Sequence, residues 1–179
     1  MNKLRLALIL LLAACSGSDL NTTYCNMPAR LTIENVQQAP VLFTACESMD
    51  QFCTVTSDGQ RFLFTNAAGK TDPINIMAIN SYYLGVNGFI VGKPSIPEMG
   101  KDVPQVVCFD RVCPNCYTDS NYAITKDVTF SSIGYAKCKG CDRTYNLMDR
   151  GIVSNGQPGR ALYRYRVSYI GNALVINNR

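Results

Sequence analysis

From residue 30 onward, apolar and polar positions alternate with a period of two, the repeat of a pleated strand with one face buried. Phe52, Thr54 and Thr56 fall on one side of such a strand and Cys53 and Val55 on the other. Ser57-Asp58-Gly59 then supplies a turn, and residues 61–65 return as the partner strand of a hairpin. Residues 162–170 place Tyr163, Tyr165, Val167 and Tyr169 on one face and Arg164, Arg166 and Ser168 on the other. Gly171-Asn172 turns that strand into another over 173–177. Further strands are expected over 86–91, 106–109 and 124–130, with a Pro- and Gly-rich loop over 92–104. Only 75–82 suggests a helical turn. Many short strands divided by turn residues predict an all-β fold, a small antiparallel barrel or sandwich. A chain of 179 residues that is 47% apolar is long enough for one hydrophobic core.

The first residues follow a different pattern. Lys3 and Arg5 form a basic region, residues 6–12 an apolar one, and Leu12-Ala13-Ala14-Cys15 has the form of a bacterial lipobox. Seven apolar residues are too few to cross a bilayer as a helix. We therefore expect a cleaved leader over 1–14, acyl chains on Cys15, a flexible tether over 15–29, and a folded domain over 30–179. The alternative is an ordinary secretory leader cleaved nearby. An acylated Cys15 implies a bacterial cell-envelope protein, held to the outer or inner membrane and facing the periplasm or the surface, with the lipid bilayer as one partner. Without Lys3 and Arg5, 15 basic residues stand against 13 acidic ones, which gives no electrostatic case for nucleic acid.

The chemistry is concentrated in two Cys-x-x-Cys turns, Cys113-Pro114-Asn115-Cys116 and Cys138-Lys139-Gly140-Cys141, with 21 residues between them and no histidine in the chain. Each turn aims two sulfurs at one point, and two turns can close a tetrahedron around one ion. The expected site is Cys113, Cys116, Cys138 and Cys141, in a two-loop lobe of rubredoxin or zinc-ribbon type over about 108–150. Four thiolates suit zinc, a single rubredoxin-type iron, or a 2Fe-2S cluster. The two-plus-two spacing favours a single ion, with structural zinc foremost. In an exported protein the same cysteines could instead oxidise to disulfides. Of the others, Cys46 and Cys53 are a possible disulfide and Cys25 could reach Cys108, while Val107-Cys108-Phe109 also fits a buried thiol.

The second turn opens a longer run: Cys138-Lys-Gly-Cys141-Asp-Arg-Thr-Tyr145-Asn-Leu147, then Gly151, Gly156, Pro158, Leu162 and Tyr165. This run resembles the second cluster loop of Rieske proteins and the strands after it, and Asp110-Arg-Val-Cys113-Pro114-Asn115 resembles the first loop. The likeness covers roughly residues 86–178. With Gly88-Phe-Ile-Val-Gly92 and Arg164-Tyr-Arg166, the chain is more narrowly similar to Rieske-like lipoproteins of Bacteroides-type bacteria. The resemblance implies a Rieske-like β domain. It departs from the family where Asn115 stands in place of the first cluster histidine and Cys141 in place of the second. Two imidazoles are what raise a Rieske potential above that of an all-thiolate cluster, so that tuning is absent here.

The lack of histidine excludes a Ser-His-Asp triad, a Cys-His pair and a histidine-bound catalytic metal. A thioredoxin-type site would need its Cys-x-x-Cys at the start of a helix in an α/β fold, and no helical periodicity follows Cys116. Asp110, Asp142 and Asp149 sit beside turns, where local hydrogen bonding is their ordinary work. Tyr163, Tyr165 and Tyr169 could form a binding platform but more simply cover a strand face, and Arg143, Arg164 and Arg166 fit a solvated face. The sum is an envelope lipoprotein acting as a binding or accessory protein of an unidentified envelope partner. The alternative is an electron-transfer protein with iron at the same cysteines.

Overall fold

The computed structural model describes residues 24–77 and 81–178. In chain order they form β1 (Ala29–Ile33), a 3-10 turn (Val36–Gln38), α1 (Pro40–Glu47), β2 (Gln51–Ser57), β3 (Arg61–Asn66), β4 (Thr71–Asn75), β5 (Tyr83–Leu84), β6 (Phe89–Lys93) and β7 (Val107–Asp110). There follow α2 (Pro114–Asp119), β8 (Val128–Ser132), β9 (Tyr135–Cys138), β10 (Thr144–Asn146), β11 (Ile152–Asn155), β12 (Arg164–Ile170) and β13 (Ala173–Asn177). The fold is all-β and antiparallel, in two sheets: nine strands in the order β4-β3-β2-β6-β7-β12-β13-β1-β5, and four in the order β11-β10-β9-β8.

The large sheet curls, so that Tyr82, just before β5, packs edge-on against Phe62 of β3 at 4.9 Å and meets Ser57 Oγ with its hydroxyl. Its inner face, with α1 over it, encloses Leu31, Val55, Phe64, Phe89, Val91, Tyr165, Leu174 and Ile176. The opposite faces of β6 and β7 present Ile90, Val107 and Phe109 to the small sheet, and with Val128, Ala136, Tyr145, Leu147 and Leu162 they make a second core. Buried on both sides, β6 and β7 read as unbroken apolar runs and not as alternation. The second core ties the small sheet, which carries Cys138 and the turn to Cys141, to the large one.

Several elements differ from the pattern-based expectation. The strand expected at 86–91 starts later, at Phe89, because Gly88 takes a left-handed turn (φ +89°). The one expected at 124–130 is displaced to Val128–Ser132. No helical turn forms at 75–77; Thr71–Asn75 is strand β4, paired with β3, and 78–80 lie outside the described residues. Two helices were not anticipated. In α1, Val41, Leu42, Ala45 and Cys46 form a helical stripe too short to register against the surrounding period-two pattern. Pro40 stands at its first turn, and Asp72 accepts from Val41 N at 2.6 Å. The leader over 1–14 and Cys15 lie outside the described residues.

Candidate metal centre

The two cysteine turns lie at the ends of adjacent hairpin segments, and residues 126–127 bind both. Lys126 O accepts from Cys113 N (2.8 Å), Asp127 O from Lys139 N (3.1 Å), and Arg111 O from Val128 N (2.8 Å). Asp127 is held in turn by the side chains of Asn87 and Arg111, the latter at 3.2 Å. Cys113 caps the six-residue helix α2, which Pro114 opens, and Cys116 sits within it. This helix was missed because six residues show no periodicity. The second turn closes through Cys138 N to Arg143 O at 2.9 Å.

The result is a four-cysteine group whose sulfurs all lie within 4.8 Å of one another, able to hold a metal ion. Cys113 Sγ is 3.7 Å from Cys141 Sγ, and Cys116 Sγ is 3.7 Å from Cys138 Sγ, so each turn reaches the other through two sulfur pairs. Cys113 and Cys138 are buried, whereas Cys116 and Cys141 reach the surface in part.

Hydrogen-bond donors converge on these sulfurs. Gly140 N donates to Cys138 Sγ at 3.2 Å. Burial pushes the Cys138 thiol up to about 11 against the pull of the Gly140 and Cys141 N–H groups. Burial and the neighbouring thiols Cys141 and Cys113 raise Cys116. Cys141 goes the other way. Burial pushes it up, but Arg143, through its backbone N–H and its guanidinium, together with the thiols of Cys116 and Cys113, outweighs burial and holds it at about 7. Arg143 was expected on a solvated face. It is instead buried, with Nε donating to Gln157 O at 2.9 Å and Nη2 to Gln157 Oε1 at 3.4 Å, and the Cys141 sulfur beside it raises its pKa.

Asn115 and Tyr145 complete the surroundings. Asn115 is buried; its amide donates to Tyr145 Oη and to Arg160 O, both at 3.0 Å, while its Oδ1 accepts from Arg160 N at 2.8 Å. Gly159 packs so closely on Asn115 Oδ1 that a Cβ would collide with it. Asn115 therefore straps the 159–160 segment over the site and does not face the sulfurs as a ligand. Tyr145 was quoted in the sequence run without a role, and only the tertiary structure assigns it one.

Asp110, at the end of β7, is fully buried. Its oxygens accept from Val86 N (2.7 Å), Val112 N (2.8 Å) and Tyr165 Oη (2.7 Å), fixing the approach to Cys113. Burial raises its carboxyl, opposed by these donors. Local hydrogen bonding was expected of Asp110; the bonds to Val86 and Tyr165 are long-range and were not.

The remaining candidates do not join the site. Cys25, Cys46, Cys53 and Cys108 are free thiols in this structure. Burial, then Glu47, pushes Cys46 up to about 12 against Lys93, and burial raises Cys53 and Cys108 well above the ordinary value. The tyrosines form no platform: Tyr165 is buried on Asp110, Tyr169 donates to Glu47 at 2.6 Å, and Tyr163 lies 3.4 Å from Thr118 Oγ1. Arg164 was expected in solvent. It is buried, paired with Glu98, and its guanidinium stands 5.6 Å from the Tyr24 ring centroid and 5.7 Å from that of Phe109. Compared with known proteins, the chain matches no family model and no curated protein.

Proposed function

We propose that this chain is a lipid-anchored envelope protein of Rieske-like type whose four cysteines hold one structural zinc ion, and that it serves as a binding or accessory protein in an envelope assembly. The observation that carries the metal reading is the sulfur geometry: all four atoms within 4.8 Å, with cross-turn pairs at 3.7 Å. A tetrahedron with metal–sulfur bonds of ~2.3 Å has an edge of about 3.8 Å. A two-iron cluster would divide the sulfurs between two metals and spread them by the width of its core. Four thiolates leave no coordination position for substrate, which supports a structural ion over a hydrolytic one. Closing the two turns around it would lock α2 and the β9–β10 turn onto the second core.

The lipobox at Cys15 supports the anchor. Acyl labelling and membrane fractionation should be lost in a Cys15→Ala chain that still folds. The exposure of Cys116 and Cys141 favours a second reading, since sulfurs at the surface suit electron exchange through iron. Metal analysis of protein purified without reductant or chelator tests both. One zinc per chain and a colourless solution agree with the first reading; iron with visible thiolate-to-iron absorption replaces it with the second. Absence of any metal, with paired disulfides in the mass spectrum, overturns both.

A further inference from the structure

Among the described residues, the chain enters the fold at Tyr24, beside the first residue of β12: Tyr24 bridges Arg164, and Cys25 N donates to Arg164 O at 2.9 Å. Arg164 also grips the loop between β6 and β7 through Glu98. The loop is fastened at its start, where Ser95 N donates to Asp50 Oδ1 at 2.7 Å. It then makes a turn closed by Lys101 N to Glu98 O at 2.9 Å, with Gly100 left-handed at φ +80°. The corner of that turn is Met99, 95% exposed, and it is flanked by Ile96 at 54% and Val103 at 61%; the Tyr24 ring beside Arg164 is 51% exposed. Turn corners in contact with water are ordinarily polar. Here the fastened loop presents methionine at its turn and isoleucine and valine on either side of it, with Lys101 and Asp102 both exposed beside them.

The location decides what covers this patch. Eight residues lie between Cys15 and Tyr24, so the two are at most ~30 Å apart however extended the chain is. An acylated Cys15 would therefore keep the Tyr24 side of the domain nearest the bilayer. We infer that the Ile96–Met99–Val103 loop, with Tyr24, is a second membrane contact that docks on the bilayer surface beside the lipid anchor. Its apolar tip enters the headgroup boundary, Tyr24 takes the interfacial position suited to an amphipathic ring, and Lys101 meets headgroup phosphates. Acyl chains on Cys15 already hold the protein to the bilayer, so what the loop adds is orientation, fixing which face of the domain points outward. This inference rests on the lipobox reading.

The test uses the full acylated chain, extracted in detergent and reconstituted into vesicles of phosphatidylethanolamine and phosphatidylglycerol. The protein contains no tryptophan and ten tyrosines, so Met99→Trp gives a single tryptophan, excited at the red edge of the band where the tyrosines do not absorb. Ile170→Trp is the control: it is 75% exposed at the far end of β12, about 20 Å from Arg164 at ~3.4 Å per residue. We expect Met99→Trp emission to shift to the blue and to be quenched several-fold more by bromolipid than Ile170→Trp. Adding Ile96→Asp and Val103→Asp to the same chain should reverse both effects. Equal exposure of the two probes in vesicle-bound, acylated protein overturns the docking and leaves the anchor intact; a protein partner on the patch would give this result. If mass spectrometry shows no acyl group on Cys15 and neither probe meets lipid, the anchor reading and the docking both fall. A blue shift at Met99 in an unacylated chain retains the docking and removes the anchor.

Discussion

Tyr145 Oη lies 3.1 Å from Cys113 Sγ, across the gap between α2 and β10, and Asn115 Nδ2 lies 3.0 Å from the same oxygen. The amide can only donate there, so it occupies a phenol lone pair and leaves the phenol's one proton for the sulfur.

Tyr145→Phe keeps the ring in the second core and deletes the hydroxyl, which is both the donor to Cys113 and an acceptor from the Asn115 amide. The expected outcome is full metal content with a loss of about 1 kcal/mol in stability by urea unfolding. Asn115→Ala should cost more, on the order of 1–3 kcal/mol, because it strands both the N–H and the C=O of Arg160 in a part-buried segment. An Asn115→Ala protein no less stable than Tyr145→Phe would show that the strap over the site carries nothing.

Changing any one of Cys113, Cys116, Cys138 or Cys141 to serine should give one shared phenotype. Each leaves an incomplete shell, and a structural zinc site contributes on the order of 10 kcal/mol to folding. The expected result is lost metal and rapid proteolysis between Val112 and Asp149, with the β2–β3 and β12–β13 hairpins retained. Limited proteolysis with mass spectrometry reads this directly. Disulfides would instead sort the four variants into two bonded pairs, and reductant would reproduce them in the unmutated chain.

What was legible in the chain was what turns and strands decide locally. The Cys-x-x-Cys spacing has its geometry within four residues, so all four cysteines of the cluster could be named, and the β2–β3 hairpin pairs Val55 with Phe64 around the Ser57-Asp58-Gly59 turn as its alternation required. What was hidden depends on neighbours distant in sequence. Arg143 and Arg164 sit in positions that alternation assigns to solvent, and it is the 157–158 segment in one case and Glu98 in the other that explain their burial. Asn115 looks like a ligand position until the 159–160 segment is laid across it. α1 and α2 are eight and six residues long, too short for a 3.6-residue period to stand out.

Cys141 is the one thiol of the site held low, at about 7. In metal-free, reduced protein whose 112–149 segment still resists proteolysis, iodoacetamide should therefore modify Cys141 before Cys116 and Cys25, both of which are raised, with a half-maximal rate near pH 7. Arg143→Met should move that midpoint toward the ordinary 9.0. The sign for stability follows: a group depressed on folding contributes above its unfolded value of 9.0, and that contribution is lost as pH falls through about 7. Peptide mapping that finds Cys116 modified first would remove Arg143 from this role.

Asp110 offers the opposite pH dependence. Burial raises its carboxyl above the ordinary 3.8 despite the donors on it. The folded state therefore holds this proton more tightly than the unfolded state does. The contribution is fully present below pH 3.8 and is lost as pH rises through the folded value. Asp110→Asn removes the titration, so the stability of the native chain relative to the variant should decline as pH rises from below 3.8. The comparison is made in chelator, so that metal release at low pH affects neither protein. A constant loss accompanies the variant: Val86 N and Tyr165 Oη both point at Oδ2, and an amide nitrogen there would face two donors, while an amide oxygen there would face Val112 N with the nitrogen. The cost is on the order of 1–3 kcal/mol. Tyr165→Phe deletes one donor and leaves the backbone donors in place, so it should cost less. Gly85 packs against Oδ2 and the Tyr165 hydroxyl so closely that a Cβ would collide with both, leaving no room for water to take over the lost bonds. Equal losses in the two variants, or a native-minus-variant difference that grows with pH, would contradict the assignment of Asp110 as the buried acceptor that sets the approach to Cys113.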